Sequence, residues 1–477
     1  MDIKQAKEDI RRTFLAYTER SADGLLRIPT VRQRPVLLMG PPGLGKTAIV
    51  WQLAQELGAG FVAYTMTHHT RQSALGLPLI REKVCGGKTY QATEYTMSEI
   101  LAAVYDQMEK TGQTTGILFL DEINCVSETL MPAMLQLLQS KRFGTHQLPE
   151  GWLIVAAGNP PQYNASARLF DAVTMDRVKL LNIEENFSVW QSYAHARGLH
   201  PAILAYLEQN PEHFYCVQPH AHGKSFVTAR AWEDLSEILY SYARLGFPVE
   251  QTLFGEYLQH EEIAASFAAF FQLSSACARM MDIPSILAGS DCSCAPELRA
   301  LRFDGRLAAA EFLLHALSKE LRQWRSDHTF SESLSSFLRA VQNAPEPLAA
   351  AREQLARREQ AMQVKKDCGV LLPEEEAAER LFSRRVHALT DGAADLSALA
   401  EEDTARRASQ SASGALLTSH LENVMQFLQE TFGPGHELLV FLTQLSALPD
   451  AKRFLRESAI YTALLQQTSP EELAKHL

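Results

Sequence analysis

A lysine and a threonine at the end of a glycine-rich octapeptide are the residues whose spacing most clearly predicts chemistry. The octapeptide is Gly40-Pro41-Pro42-Gly43-Leu44-Gly45-Lys46-Thr47. It fits the pattern G-x4-G-K-[ST], whose backbone N–H groups cradle phosphates while the lysine reaches the β- and γ-phosphate oxygens and the hydroxyl reaches Mg²⁺. The sequence therefore predicts a nucleotide phosphate site over residues 40–48, with Ala48 as the last of its backbone donors.

The residues on either side of the octapeptide support this prediction. Residues 35–39 form a short apolar run, as a buried parallel strand should, and residues 48–54 keep apolar side chains at helical spacing. Strand, glycine loop and helix is the order that the chemistry requires, because the helix N-terminus adds unpaired N–H groups and a positive dipole end to the anion site.

Two adjacent carboxylates, Asp121 and Glu122, end the strongly apolar run 117–120. Neighbouring residues of a strand point to opposite sides, so the two carboxylates cannot have the same role. We infer that Asp121 holds Mg²⁺, usually through water, and that Glu122 orients and polarises the water that attacks the γ-phosphate. The alternative is that these two carboxylates only mark the start of a solvated loop. The phosphate loop earlier in the chain favours ATP hydrolysis.

Composition limits the other possibilities. A chain of 477 residues with ordinary globular composition should hold two or three domains. Its net charge of −11 gives no basic footprint for nucleic acid. No apolar run is long enough to span a membrane and the first residues lack the apolar segment of a signal peptide, so we expect a cytoplasmic protein. The seven cysteines fit neither a disulfide framework nor a metal pattern, and we expect reduced thiols.

The remainder of the first domain is predicted to be doubly wound. Further strands are expected at 61–66 and 152–157, helices at 97–109 and 127–139, and a β-hairpin from runs 77–85 and 89–95. The strand at 152–157 leads to Asn159, which should lie at the carboxyl edge of the sheet, where α/β proteins bind ligands.

From residue 184 onward the pattern is helical only. Arg230 lies in an amphipathic stretch whose apolar stripe is ordinary core packing. After residue 282 the composition shifts to Ala, Glu, Arg and Leu without a catalytic constellation. The amphipathic stretch 416–432 must pack on something, either on the other helices or on a partner; for the region as a whole we favour a partner-docking module.

Several motifs, in order, resemble a MoxR-type AAA+ ATPase of the helix-2-insert group over residues 1–280. They are GPPGLGKT at 40–47, ILFLDEIN at 117–124, LPEGWLIVAAGNPP at 148–161, MDRV at 175–178 and TARAWEDLS at 228–236. The resemblance implies an α/β P-loop NTPase core with a parallel five-stranded sheet, followed by an all-α lid and an all-α accessory region. The expected domains are 1–184, 185–282 and 283–477.

The resemblance also implies roles for single residues. Lys46 and Thr47 would be Walker A, Asp121 and Glu122 Walker B, and Asn159 sensor 1; Thr47 and Asp121 would bind Mg²⁺. Arg177 would be the arginine finger, with Arg168 as a rival, and Arg230 would be sensor 2. The hairpin at 77–95 would be the helix-2 insert, and 142–152 a second hairpin.

A finger arginine acts on the neighbouring subunit, so the resemblance implies a homo-oligomeric ring, most simply a hexamer, that binds ATP and Mg²⁺. MoxR-type ATPases are similar to metal-insertion and assembly chaperones that act with von Willebrand A domain proteins, which is our leading hypothesis. A nucleic-acid or restriction-type motor and a nucleotide-locked scaffold with incidental turnover stay open. The histidine pairs His68-His69 and His220/His222 are weak metal signals, and we expect solvated loops.

Overall fold

A computed structural model gives the fold. It describes the whole chain except residues 69–75, 87, 144–145, 165, 221–222, 291–292, 368–372, 392, 394, 457 and 468–477. The chain divides into two compact units. The first comprises Met1–Asn186 with Gln360–Leu372, and the second comprises Phe187–Glu359 with Pro373–Leu477.

The first unit is built on a parallel sheet that has five strands in the described part of the chain. The strands are β1 (Val36–Met39), β2 (Gly60–Thr65), β5 (Gly116–Asp121), β8 (Trp152–Gly158) and β9 (Lys179–Asn182), in the order β2-β5-β8-β1-β9. All four neighbouring pairs are parallel, and β1 lies between β8 and β9. The predicted fold class, an α/β P-loop core with a five-stranded parallel sheet, is confirmed.

Helices cover both faces of this sheet, because side chains alternate along each strand. The helices of the first 186 residues are α1 (Ile3–Thr18), α2 (Lys46–Glu56), α3 (Glu99–Thr111), α4 (Met131–Ser140) and α5 (Ala172–Met175). Val36 and Leu38 pack with α1 and α2, whereas Leu37 packs with α3 and α4 on the other face. Such strands, buried on both faces, explain why the sequence shows them as continuous apolar runs.

Two antiparallel hairpins accompany the sheet. The strands β3 (Pro78–Cys85) and β4 (Lys88–Tyr95) pair where the sequence predicts a hairpin, and the short strands β6 (Arg142–Phe143) and β7 (His146–Gln147) pair within the predicted 142–152 hairpin.

The second unit is mainly helical. Its helices are α6 (Phe187–Arg197), α7 (Pro201–Gln209), α8 (Ala229–Leu245), α9 (Gln251–Tyr257), α10 (Glu261–Met280), α11 (Ile283–Leu287), α12 (Ala295–Arg299), α13 (Phe303–Val341), α14 (Pro347–Asp367, whose last residues belong to the first unit), α15 (Pro373–Thr390), α16 (Ser397–Phe432), α17 (His436–Ala447), α18 (Ala451–Leu455) and α19 (Ala459–Gln467). The long helix α13 packs against α7 as well as α16. It therefore contacts helices on both sides of residue 282, and a domain boundary there stays a prediction.

One element of the second unit differs from the helix-only pattern expected after residue 184. The strands β10 (Cys216–His220) and β11 (Gly223–Val227) form an antiparallel hairpin. Its residues lack a clear period-two pattern, and they include Pro219, a residue type that is rare inside strands, so the sequence does not predict this hairpin.

The amphipathic stretch 416–432 lies inside helix α16. Its apolar residues Leu417, Leu421 and Leu428 are buried in the core that α13 and α17 also line. For this stretch, the alternative that the helices pack on one another is the one that the structure shows.

The cysteines require a correction. Cys294 is disulfide-bonded, whereas all seven were expected to be reduced. Cys125, Cys216 and Cys277 are free. A disulfide needs only two thiols brought together by the fold, and sequence spacing alone does not exclude this.

Among the residues described, no helix is both long and apolar enough to cross a membrane. The same residues contain no cluster of three or more His, Cys, Asp or Glu that could hold a metal ion. His69 and His222 lie outside the described residues.

Candidate nucleotide-binding site

The phosphate loop connects the end of β1 to the start of α2. Gly43 and Gly45 have positive φ angles of 77° and 81°, a backbone region that glycine reaches at little cost. Gly40 has a different reason to be glycine, because a Cβ there would lie 2.7 Å from the carbonyl oxygen of Ile183. The loop thus passes into the first turn of α2, whose opening N–H groups have no partner within the helix.

Lys46, the first residue of α2, is 8% exposed. Its Nζ donates hydrogen bonds to the carbonyl oxygens of Gly40 (3.0 Å) and Pro41 (2.8 Å) and to Oδ1 of Asn159 (2.9 Å). The fold therefore holds a buried ammonium group inside the loop, next to the end of β8. The predicted sensor residue and the predicted Walker lysine are in direct contact.

Thr47 and Asp121 also meet, although 74 positions separate them in the chain. Thr47 Oγ1 donates to Asp121 Oδ2 at 2.8 Å. The contact forms because β5 ends at Asp121, at the same sheet edge as the phosphate loop. Asp121 Oδ1 also accepts the N–H of Glu122 at 2.9 Å, so the carboxylate is held on both oxygens.

Glu122 has the unusual backbone conformation φ 53°, ψ 37°, which is left-handed. It begins the 3-10 turn Ile123–Cys125. A non-glycine residue in this region costs of the order of 1 kcal/mol and is over-represented at functional sites. Its Oε2 accepts a hydrogen bond from Thr67 Oγ1 at 2.9 Å. The Glu122 carboxylate therefore lies beside Thr67, which follows β2, whereas the Asp121 carboxylate lies beside Thr47.

Thr67 and Asn124 contact the site, although the sequence predicts no role for either of them. Thr67 follows β2 and holds Glu122. Asn124 is fully buried, and its Nδ2 donates to the carbonyl oxygen of Asn159 at 2.8 Å. The only signal for Thr67 was its place just after a strand, and for Asn124 its place three residues after Asp121. Neither position by itself predicts a partner.

The two candidate finger arginines differ in their surroundings. Arg168 forms an ion pair with Glu128 (Nη1 to Oε1, 2.8 Å), and both side chains are at least half exposed. Arg177 follows α5, is exposed, and forms no hydrogen bond or ion pair through its guanidinium in the part of the chain that the structure describes. Hydrogen bonds from Thr174 lower the pKa of Asp171, and the charge of Arg177 adds to this effect.

Arg230 belongs to the second compact unit. It lies in the first turn of α8, which Thr228 caps by accepting the N–H of Ala231 at 3.3 Å, and its side chain is exposed. Its predicted role as sensor 2 stays a prediction.

Cys125 is the thiol beside the site. Burial, followed by the charges of Glu122 and Asp121, raises the pKa of the thiol. The thiol form is therefore favoured, and Asn164 Nδ2 donates to its sulfur at 3.2 Å. This environment disfavours a nucleophilic thiolate and leaves the chemistry to the oxygen and nitrogen groups.

The residues present fit a magnesium nucleotide. Thr47 and Asp121 place a hydroxyl and a carboxylate oxygen 2.8 Å apart, and such hard oxygen atoms are the ligands that Mg²⁺ takes beside bound phosphates. Lys46 supplies positive charge, and the start of α2 supplies N–H donors. The fold and this arrangement together define a P-loop nucleotide-binding domain.

Comparison with known proteins specifies the domain further. Residues 35–177 match the model of the AAA domain family (dynein-related subfamily), which is the same part of the chain that forms the parallel sheet and the phosphate loop. No match was found among curated proteins. Among solved structures, the chain is similar to the crystal structure of a "putative ATPase" from Cytophaga hutchinsonii, at 17% sequence identity and a TM-score of 0.24. That match covers 38% of this chain and 46% of the other, so this chain spans less than half of the other protein's length.

Proposed function

We propose that this chain is an ATP-hydrolysing AAA+ ATPase of the MoxR type that assembles into a homo-oligomeric ring, most simply a hexamer, and remodels a partner protein. The observation that carries the hydrolysis part is the convergence of Lys46, Thr47, Asp121 and Asn159 at the carboxyl edge of the sheet. A mere binding loop needs no polar group from a second strand, whereas phosphoryl transfer needs several positioned charges and donors.

Each residue then has a distinct task. Lys46 neutralises phosphate charge by exchanging its bonds to the loop carbonyls for bonds to phosphate oxygens. Thr47 and Asp121 would hold Mg²⁺, which supplies charge neutralisation on the β- and γ-phosphate oxygens when bound. Asn159 offers its amide beside Lys46, where it can orient a water or a phosphate oxygen.

Glu122 is the group that can orient and polarise the attacking water. Its carboxylate accepts one hydrogen bond from Thr67, and the remaining lone pairs can accept from water. The neighbouring Asp121 is occupied by Thr47 and by the Glu122 N–H, so the two carboxylates do not compete for the same task.

The site has one lysine for the developing negative charge, so a second cation is required from elsewhere. Arg177 is exposed and unpaired among the described residues, which favours it over the ion-paired Arg168 as the group presented to a neighbouring subunit. A site completed by a neighbouring subunit requires an oligomer, most simply a ring. The partner, a von Willebrand A domain protein, is proposed from the motif resemblance alone, and the cytoplasmic localisation also stays a prediction.

The first experiment separates nucleotide binding from turnover. Lys46→Ala should weaken binding of a fluorescent ATP analogue severely, because it removes the charge that faces the phosphates. Glu122→Gln should bind the analogue normally yet hydrolyse ATP at least about 100-fold more slowly, the usual scale for losing a group that positions or deprotonates water. Glu109→Gln, which changes an exposed carboxylate of α3, is the matched control. Equal binding loss in Lys46→Ala and Glu122→Gln would refute the role of Glu122. Unchanged turnover in Glu122→Gln would favour a scaffold.

The second experiment tests completion of the site by a neighbour. Arg177→Ala should bind ATP normally and lose most turnover. Mixing it with Glu122→Gln subunits should restore activity, because the second variant lends its intact Arg177 to the first variant's intact Glu122. If mixed rings form but restore nothing, Arg168→Ala must be tested in the same way. If neither arginine variant regains activity in mixed rings, each chain holds a complete site.

A further inference from the structure

Asn124 is a buried polar residue to which the proposed chemistry gives no task. It lies in the 3-10 turn directly after Glu122, and its side chain is 0% exposed. Its Nδ2 donates to the carbonyl oxygen of Asn159 (2.8 Å) and more weakly to the carbonyl oxygen of Arg168 (3.4 Å). One amide thus bridges the end of β8 and the backbone of a candidate finger arginine.

The backbone of Asn124 makes the same connection. Its carbonyl oxygen accepts the N–H of Arg168 at 2.9 Å. Side chain and main chain of Asn124 therefore hold the Arg168 peptide from both sides. The chain continues from Arg168 through α5 to Arg177, so the bridge holds the start of the segment that carries both arginines.

Strand β8 leaves room for the side-chain amide of Asn124 because the strand ends in a glycine, Gly158. A Cβ on Gly158 would lie 2.6 Å from Asn124 Oδ1, which is shorter than any normal contact. The glycine at the end of β8 is therefore required by the Asn124 side chain. A buried amide without partners costs about 1–3 kcal/mol, so the two donated bonds are needed to keep Asn124 in place.

Asn159 connects this bridge to the phosphate loop. Its side-chain Oδ1 accepts from Lys46 Nζ, and its main-chain oxygen accepts from Asn124. If the backbone of Asn159 shifts when Lys46 exchanges partners, the bond to Asn124 moves or breaks with it. The bond network runs from the lysine to the Arg168 peptide through three hydrogen bonds.

We propose that Asn124 is a positioning residue that couples a subunit's own nucleotide site to the arginine segment 166–177 which that subunit presents to a second copy of the chain. This rests on the proposed ring ATPase. The ligand at the far end is thus the nucleotide phosphate bound by the neighbouring copy, and Asn124 itself touches no reacting atom.

The test uses full-length subunits with separated tasks. Acceptor subunits carry Arg168→Ala with Arg177→Ala, so they keep an intact hydrolysis site but lend no arginine. Donor subunits carry Glu122→Gln, so they lend arginines but do not hydrolyse. ATP turnover of the mixture therefore measures only how well the donor subunits supply their arginines to the acceptor sites, which is called donation below. Adding Asn124→Asp to the donor keeps the size of the side chain but removes its N–H donors, and should lower turnover of the mixture at least about fivefold, the factor that corresponds to one lost hydrogen bond. Donors with Asn182→Asp, an exposed asparagine at the end of β9, should donate normally.

Donation must be compared with binding to exclude a merely structural effect. Binding of a fluorescent ATP analogue by the Asn124→Asp donor should stay within about twofold of its parent, since no phosphate-binding residue is changed. Gly158→Ala, which displaces the amide without altering it, should reproduce the donation defect. Normal donation by both variants would overturn the proposal, and so would a loss of binding that matches the loss of donation.

A second readout does not depend on hydrolysis. Hydrogen exchange of peptides from 166–177 should change when the ATP analogue binds to Glu122→Gln subunits. In the Asn124→Asp form this change should disappear, while the phosphate loop is still protected. An unaltered response of the segment would refute the coupling. If the parent mixture itself shows no turnover, the ring proposal fails, and the exchange experiment still decides whether the two sites are coupled within one chain.

Discussion

Lys141 is a buried lysine whose effect on stability can be predicted with its sign. It lies directly after α4, is 2% exposed and has a left-handed φ of 53°. Its Nζ donates to Gln33 Oε1 at 2.7 Å and to the carbonyl oxygen of Trp152 at 3.3 Å. Within the described residues no carboxylate is within ion-pair distance of this ammonium group, and burial lowers the pKa of Lys141 from 10.5 to about 8.

The direction of the pH effect follows from proton uptake. The unfolded chain keeps the ordinary pKa of 10.5, so between about pH 8 and 10.5 it binds more protons than the folded chain. The free energy of unfolding should therefore rise with pH in this window, while below about pH 8 the full cost of burying the charge is present. With these two pKa values, the gain between about pH 7 and about pH 9.5 is about 2 kcal/mol.

Other groups titrate in the same range, so the test is a difference between variants. The opening free energy of β8 can be measured by amide hydrogen exchange of a peptide from 152–158, corrected for intrinsic rates, in wild type and in Lys141→Met. Wild type minus Lys141→Met should rise by about 2 kcal/mol over this pH range. The same difference for Lys4→Met, an exposed lysine of α1, should stay flat. A flat or falling difference for Lys141→Met would refute the argument from burial.

Three further results are expected from the same structure. Gly116→Ala should lower the stability by about 1–3 kcal/mol in thermal unfolding, because its Cβ would lie 2.6 Å from the indole of Trp152, whereas Gly255→Ala meets nothing within 4 Å and should have little effect. Asp121→Asn should raise the Mg²⁺ concentration for half-maximal ATP hydrolysis about tenfold or more, as measured by Mg²⁺ titration; an unchanged value would remove Asp121 from the metal site. Burial, and then the charge of His315, lowers the pKa of His195 to about 4. The second unit should therefore become less stable as pH falls below about 6.5, by about 2 kcal/mol at about pH 5. Denaturant titrations of His195→Gln should show that this part of the acid sensitivity is lost.

The nucleotide-binding core was largely predictable because its signals are local. The phosphate loop, the apolar strands and the hairpin of β3 and β4 each depend on residues close in sequence, and the observed hairpin strands, Pro78–Cys85 and Lys88–Tyr95, begin and end within one residue of those predicted. In the second unit, β10 and β11 were missed because nothing in their short, irregular pattern overrides the helical signal around them.

The contacts that buried polar residues make could be predicted less well from the sequence. In the sequence, Lys141 is an ordinary lysine at the end of a predicted helix, and Asn124 is the last residue of the motif at 117–124. Both are buried by elements distant in the chain: Gln33 contacts the first, and Asn159 and Arg168 contact the second. A single long-range contact produces no periodic pattern in the sequence, so no pattern predicts it.

The sequence by itself determined the kind of chemistry, because the glycine loop, its lysine and the paired carboxylates depend on local backbone geometry and on residue type. Only the tertiary structure decided which of these groups meet. The strand order β2-β5-β8-β1-β9 places β8 between β5 and β1. Asn159 therefore lies beside Lys46, from which 113 positions separate it in the chain, and also beside Asn124. Parallel strands expose their carboxyl ends at one edge, but which ends are neighbours depends on how the helices cross over the sheet and pack on its two faces.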